Sequence, residues 1–219
     1  MFSKLTFGQK LAAWLGMALL LMVAAFTAIY FQLSKNPPKD MDKLVPQWAN
    51  LPSLHSEETY KKTEEFSSLQ IEQNPKAAFW YKERGYARWW LEKHKEALAD
   101  FSKAIELDPS DYHSYGYRGQ LRSHLKEYKL AIEDLDKAIE MRPNEGRYYY
   151  NRGVAYDWLQ DSKHALSDYK KALDLNYDHV KVHYAQGGVF IRLKKYDLAL
   201  REYETASQGK VEDNADSIY

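Results

Sequence analysis

The chain has 219 residues with 31 basic and 31 acidic side chains, so no net field draws it toward nucleic acid or an acidic surface. It has no cysteine, which removes disulfides, thiolate metal sites, cysteine nucleophiles and lipid attachment at an amino-terminal cysteine. Its 18 tyrosines and 6 tryptophans supply amphipathic rings that serve helix packing and peptide contact equally.

A tail over 1–10 carries Lys4 and Lys10 and leads into residues 11–34, which hold no charge and end at Lys35. A helix of 24 residues is long enough to cross a bilayer core, with Trp14 at one interface and Tyr30 and Phe31 at the other. The expectation is a retained signal anchor. A cleaved signal peptide ending near Val23-Ala24-Ala25 is the competing reading. Lysines flank both ends, so charge counting leaves the orientation open. A short basic tail before a long carboxy-terminal domain places that domain on the non-cytoplasmic side, the periplasm in a bacterium.

Residues 35–55 contain Pro37, Pro38, Pro46 and Pro52 without helical period and read as a stiff linker. Ser56 then caps a helix that opens on Glu57 and Glu58 and stops at Asn74-Pro75, so 56–77 is expected to be a capping helix. From Ala78 onward a single pattern of 34 residues recurs in copies over 78–111, 112–145, 146–179 and 180–208, with a polar tail over 209–219 that is expected to break at Gly209. Gly85, Gly119, Gly153 and Gly187 share one register, as do Leu91, Leu125, Leu159 and Leu193, and two alanine columns from Ala97 and Ala104. Each copy reads as two helices joined by a tight turn, Lys126-Glu127 in the second, with Pro109 and Pro143 ending the first and second copies. Units with this period bury their apolar faces only by stacking on neighbours.

These columns and their spacing resemble the tetratricopeptide repeat family. The resemblance implies an all-α solenoid of about four full repeats plus a partial one before them, whose first helices line a concave groove for protein segments. Within each copy the fourth, eighth and eleventh residues are expected to face the packed side, as Tyr115, Gly119 and Arg122 do in the second. Arg84, Arg118 and Arg152 precede the glycine in the first three copies and Gln186 in the fourth, while Asp100, Asp134, Asp168 and Glu202 stand 16 residues later. A charge on a packed face needs a partner, so an architectural ladder of ion pairs is expected.

The resemblance assigns the groove to the second, fifth, ninth and thirteenth residues of each copy. These are Phe79, His113, Arg147 and Lys181; Lys82, Gly116, Tyr150 and Tyr184; Tyr86, Gln120, Val154 and Gly188; and Trp90, His124, Trp158 and Arg192. No acid stands among them. The candidate peptide-binding residues are Lys82, Tyr86, His113, Gln120, Arg147, Tyr150, Lys181 and Tyr184, suited to an extended segment bearing carboxylates. The chaperone-type clamp of the family is not reproduced, because Tyr86 stands where an asparagine would be.

Nothing in the sequence makes a catalytic set, a phosphate loop or a dinucleotide turn, and no cofactor is implied. His179 and His183 share a helix face but lack a third ligand in sequence. The short basic run Arg192, Lys194 and Lys195 reads as a solvated turn rather than a nucleic-acid surface. The expected role is a non-enzymatic, membrane-anchored scaffold or assembly factor that holds a protein client. The alternative is a regulatory subunit of a membrane enzyme or complex acting through its spanning helix, where Ala12, Ala13, Gly16 and Ala18 offer a contact face.

Overall fold

The computed structural model describes residues 56–215, with side chains as far as Gln208. The tail over 1–10, the uncharged stretch over 11–34 and the linker over 35–55 lie outside the described residues, and so do the anchor and linker expectations. Among the described residues every element is a helix. They are α1 (Glu57–Gln73), α2 (Ala78–Trp90), α3 (His94–Leu107), α4 (Tyr112–His124), α5 (Tyr128–Met141), α6 (Gly146–Trp158), α7 (Ser162–Asp174), α8 (His179–Arg192) and α9 (Tyr196–Ala215). None of them is long and apolar enough to cross a membrane.

Local chemistry sets the helix ends. Ser56 accepts a hydrogen bond from the Thr59 backbone N–H at 3.1 Å and so caps α1. Asn74, Asp108 and Arg142 each precede a proline, and each leaves helical geometry there, with φ of −139°, −137° and −136°. The third copy has Tyr177 at the proline position, and its helix stops by another route, with Asn176 in the left-handed region at φ 55°. The turns inside the copies also rest on left-handed residues, Glu92, Lys126, Gln160 and Lys194, at φ between 58° and 65°. In the second copy this lets the Lys126 N–H reach the Ser123 carbonyl and the Glu127 N–H reach the Arg122 carbonyl, satisfying carbonyls at the helix end.

Each pair α2–α3, α4–α5, α6–α7 and α8–α9 packs as an antiparallel hairpin, and each second helix also packs on the next first helix. Successive first helices touch as well, α2 with α4, α4 with α6 and α6 with α8. The first-helix side is therefore the tighter, inner side of the stack. α1 packs on α2 as a second helix does, which makes it the remnant of a preceding copy.

The buried arc of the first helices differs from the expectation. The third, eighth and tenth residues are inside, Trp80, Tyr148 and Val182 in one column and Ala87, Leu121, Ala155 and Val189 in another. A first helix is gripped by its own second helix and by the preceding one, and the arc between those two contacts centres one residue earlier than apolar period alone suggests. The fourth residues sit at the rim, with the rings of Tyr81, Tyr115 and Tyr149 lying 5.5, 5.7 and 5.5 Å from the guanidinium carbons of Arg84, Arg118 and Arg152. A second correction concerns the carboxy-terminal end. α9 continues through Gly209 to Ala215 instead of breaking there, because a helical glycine costs only about 1 kcal/mol relative to alanine and no proline comes after it.

Candidate functional site

The ladder forms within each of the first three copies and is absent from the fourth, where Gln186 stands in place of arginine and Glu202 pairs with His183. Arg84 donates to both carboxylate oxygens of Asp100 at 2.9 and 2.8 Å, Arg118 to Asp134 at 2.9 and 2.7 Å, and Arg152 to Asp168 at 2.8 and 2.7 Å. The third guanidinium corner reaches back one copy, to the Ser68 hydroxyl at 3.3 Å, the Ser102 hydroxyl at 3.0 Å and the Asp136 carboxylate at 2.6 Å. Arg88 and Arg122 add a further bond to Asp100 and Asp134 at 2.7 and 2.8 Å. Burial pulls the Arg152 guanidinium down, but its bonds to Asp168 and Asp136 outweigh that and hold it above its ordinary range. These arginines are structural ties between copies and are not available to a ligand.

Several candidate residues are likewise engaged. Lys82 is buried, with its ammonium 3.8 Å from Asp111 and 5.3 Å from the centre of the Phe79 ring. Arg147 lies over the Tyr148 ring at 5.0 Å, 3.1 Å from His113 Nδ1 and 3.5 Å from Glu145. Gly116, assigned to the groove by position, is instead covered by the Tyr148 ring. Tyr86 packs among Tyr60, Trp89, Trp90 and Tyr117. Burial pushes the hydroxyls of Tyr117, Tyr148 and Tyr169 well above the usual range, as expected of rings that fill the stack. The cationic column thus folds inward at Lys82 and Arg147, since each finds a ring and an acid nearby.

The remaining four candidates reach open surface. Gln120 lines a cleft of about 340 Å³ between α4 and α6 together with His124, Tyr150, Asn151, Val154 and Trp158. Tyr150 is shared with a larger cleft of about 720 Å³ at the carboxy-terminal end, where it meets Lys181 and Tyr184. Tyr150 itself leans on Tyr169 and Tyr177 at 5.9 and 5.3 Å, and burial raises its hydroxyl. Lys181 pairs with Asp178 at 2.7 Å, while Tyr184 is 67% exposed. Arg147 is absent from both linings, so of the candidate residues only Tyr150, Lys181 and Tyr184 meet at the larger cleft.

The thirteenth column was assigned to the groove, but its partners in the preceding copy went unread in the sequence. In the first three copies the thirteenth residue meets a ring 30 positions earlier, Trp90 stacked on Tyr60 at 5.5 Å, His124 edge-on to His94 at 5.3 Å and Trp158 stacked on Tyr128 at 5.9 Å. The signal was the recurrence of a ring at the seventeenth position, which a search within single copies does not pair with the next copy along the chain. In the fourth copy Arg192 takes the place of the ring and pairs with Asp157 instead. His183 similarly turns to Glu202, with its Nδ1 2.7 Å from a carboxylate oxygen, and no group of three or more metal-ligating side chains gathers among the described residues.

Family models described as tetratricopeptide repeat match residues 78–111, 112–145 and 146–176. Comparison of the sequence with curated proteins finds no match. Among solved structures, a crystal structure of MamA superposes with a TM-score of 0.67 at 16% identity, covering 74% of this chain and 95% of that one. MamA from Desulfovibrio magneticus RS-1, from residue 41 to its end, gives 0.66 at 21% identity, over 70% and 87%. YrrB, described as a TPR protein with an unusual peptide-binding site, gives 0.57 at 25% identity, over 65% and 73%. The MamA likeness is one of fold.

Proposed function

We propose that this chain, whose copies are tetratricopeptide repeats, is a non-catalytic scaffold that holds an extended segment of a client protein along its first-helix side. The observation that carries the reading is the open cleft between α4 and α6, where Gln120 and Asn151 present amides beside the exposed Trp158 ring. Side-chain amides can pair with the backbone of an extended segment, and an aromatic platform can take an apolar side chain from it. His124 and Lys126 at the same rim favour carboxylates on the client. YrrB supports the reading as a related fold with a peptide-binding site.

The scaffold would be tethered to a membrane through residues 11–34, with the repeats on the non-cytoplasmic side. The support for this is the run of 24 uncharged residues between Lys10 and Lys35. Photo-crosslinking in intact cells from residue 120, compared with residue 137 on the outer side, tests the client site. A client captured from residue 120 and lost on Trp158→Ser sustains the reading. Equal capture from both positions, or capture indifferent to Trp158, sinks it.

A further inference from the structure

The larger cleft has the composition of an unfilled helix seat. At the junction between the second and third copies, the third residue of the incoming first helix is Tyr148. Its ring packs with Leu135 and Ala138 of the preceding second helix and with Tyr112, and it covers Gly116. Those four are the twenty-fourth, twenty-seventh, first and fifth residues of their copy. In the fourth copy the same four positions are Tyr203, Ala206, Val180 and Tyr184, and all four line the cleft of about 720 Å³. The seat that is filled in earlier copies is left unfilled by the described residues in the last one, and α9 runs on to Ala215.

A second observation specifies the charge of what fits. The first helices of the first three copies carry an arginine four residues after the third position, and that arginine reaches back to the twenty-fifth residue of the preceding copy, as Arg152 does to Asp136 at 2.6 Å. The partner positions run Ser68, Ser102, Asp136 and Lys170. Where Lys170 stands, the incoming helix has Gln186 in place of arginine, which avoids opposing two cations. The twenty-fifth residue of the last copy is Glu204, exposed on α9 beside the cleft.

We propose that this carboxy-terminal seat docks an amphipathic helix of a partner protein, one that lays an aromatic or apolar side chain against the rings of Tyr184 and Tyr203, whose centres lie 5.3 Å apart, and places an arginine or lysine four residues later against Glu204. The interaction extends the stack by one helix in trans. It does not depend on the client groove between α4 and α6, with which it shares only Tyr150.

The probe is a helix-stabilised peptide with the sequence of residues 146–158, which fills the equivalent seat within this chain, titrated into the full chain by calorimetry. Saturable one-to-one binding is expected, weakening as salt rises. Tyr148→Ala in the peptide should lower affinity by about tenfold or more, and Tyr184→Ser in the chain should do the same. Glu204→Arg in the chain should weaken the native peptide by about tenfold and be rescued by a peptide carrying Arg152→Glu. Trp158→Ser in the chain removes a groove residue and should leave this binding unchanged, so failure of the groove reading and failure of the seat are separable. Absence of saturable binding, binding indifferent to Tyr184 and Glu204, or charge reversal without rescue overturns the proposal. A concentration-dependent dimer that Tyr184→Ser abolishes would make the occupant a second copy of this chain, and overturns it too.

Discussion

The second and fourth copies share their period and backbone but are held in different ways. In the second, Asp134 accepts from Arg118 twice and from Arg122 once, and Arg118 also grips Ser102 of the copy before it. In the fourth, Gln186 replaces the arginine, and Glu202 is taken by His183 on the adjacent helix. The ring on the second helix diverges as well: Tyr128 is covered by Trp158 of the next copy, whereas Tyr196 is 61% exposed. Interior copies are thus tied within and between units by arginine forks, whereas the terminal copy keeps a local His183–Glu202 pair and a single ion pair back to the third copy, Arg192 to Asp157. In a solenoid, where stability is close to a sum of unit and junction contributions, the fourth copy is the one that frays first.

The largest test of this contrast is carboxylate removal. Asp134 is 5% exposed and serves two guanidinium groups, so Asp134→Ala strands both and should destabilise the stack by about 3–5 kcal/mol. Glu202→Ala removes one bond at a half-open end and should cost about 1 kcal/mol or less. Chemical denaturation of both variants decides it. Equal losses would mean that the ladder adds nothing beyond what an isolated pair does.

The smaller test concerns the glycine columns. A Cβ on Gly119 would lie 2.9 Å from Leu135 Cγ and 3.1 Å from the Ala131 carbonyl oxygen, which is backbone and cannot step aside. Gly119→Ala should therefore destabilise by roughly 1–3 kcal/mol, read from the same denaturation curves. A neutral result would show that α4 and α5 can separate without loss, and that close approach is not what the column enforces.

How much of this was legible in the sequence depends on what a period can and cannot encode. A 34-residue repeat identifies which positions are equivalent, and that sufficed for the helical hairpins and for the pairing of Arg118 with Asp134. It leaves open where the buried arc is centred, because that depends on the angle between a helix and its two neighbours. Hence Tyr115, expected inside, lies at the rim, while the third-position residues, Tyr148 among them, carry no distinguishing signal along the chain. The groove suffered for a related reason. Lys82 and Arg147 occupy groove positions, yet a long cationic side chain can fold back onto Phe79 or Tyr148 and toward an acid, Asp111 or Glu145, at the start of a neighbouring or its own first helix, and no pattern along the chain distinguishes that from reaching outward. Gln120 is exposed, and Tyr184 leans on the Tyr203 ring at 5.3 Å while two-thirds of its surface stays open.

Gly188 carries the comparison to its finest grain. Its position is the ninth of the fourth copy, held by Tyr86, Gln120 and Val154 in the others, and it comes directly after Gly187, whose Cβ would meet the Tyr203 ring at 2.6 Å. Reading every glycine of the stack as a packing requirement fails here, since a Cβ on Gly188 meets nothing within 4 Å and φ is negative. In an unobstructed helix interior, alanine loses less backbone entropy on folding than glycine does. Gly188→Ala should accordingly stabilise the terminal copy by about 0.5–1 kcal/mol. Hydrogen exchange of α8 and α9 is the sensitive measurement, because an increment in the weakest unit lowers its local opening before it moves the global midpoint. Slower exchange confined to those two helices would place the fraying where the missing arginine does. Slower exchange spread evenly over α4 to α9 would mean instead that the fourth copy opens only with the rest of the stack, and that the single Arg192–Asp157 pair couples it as firmly as the arginine forks couple the others.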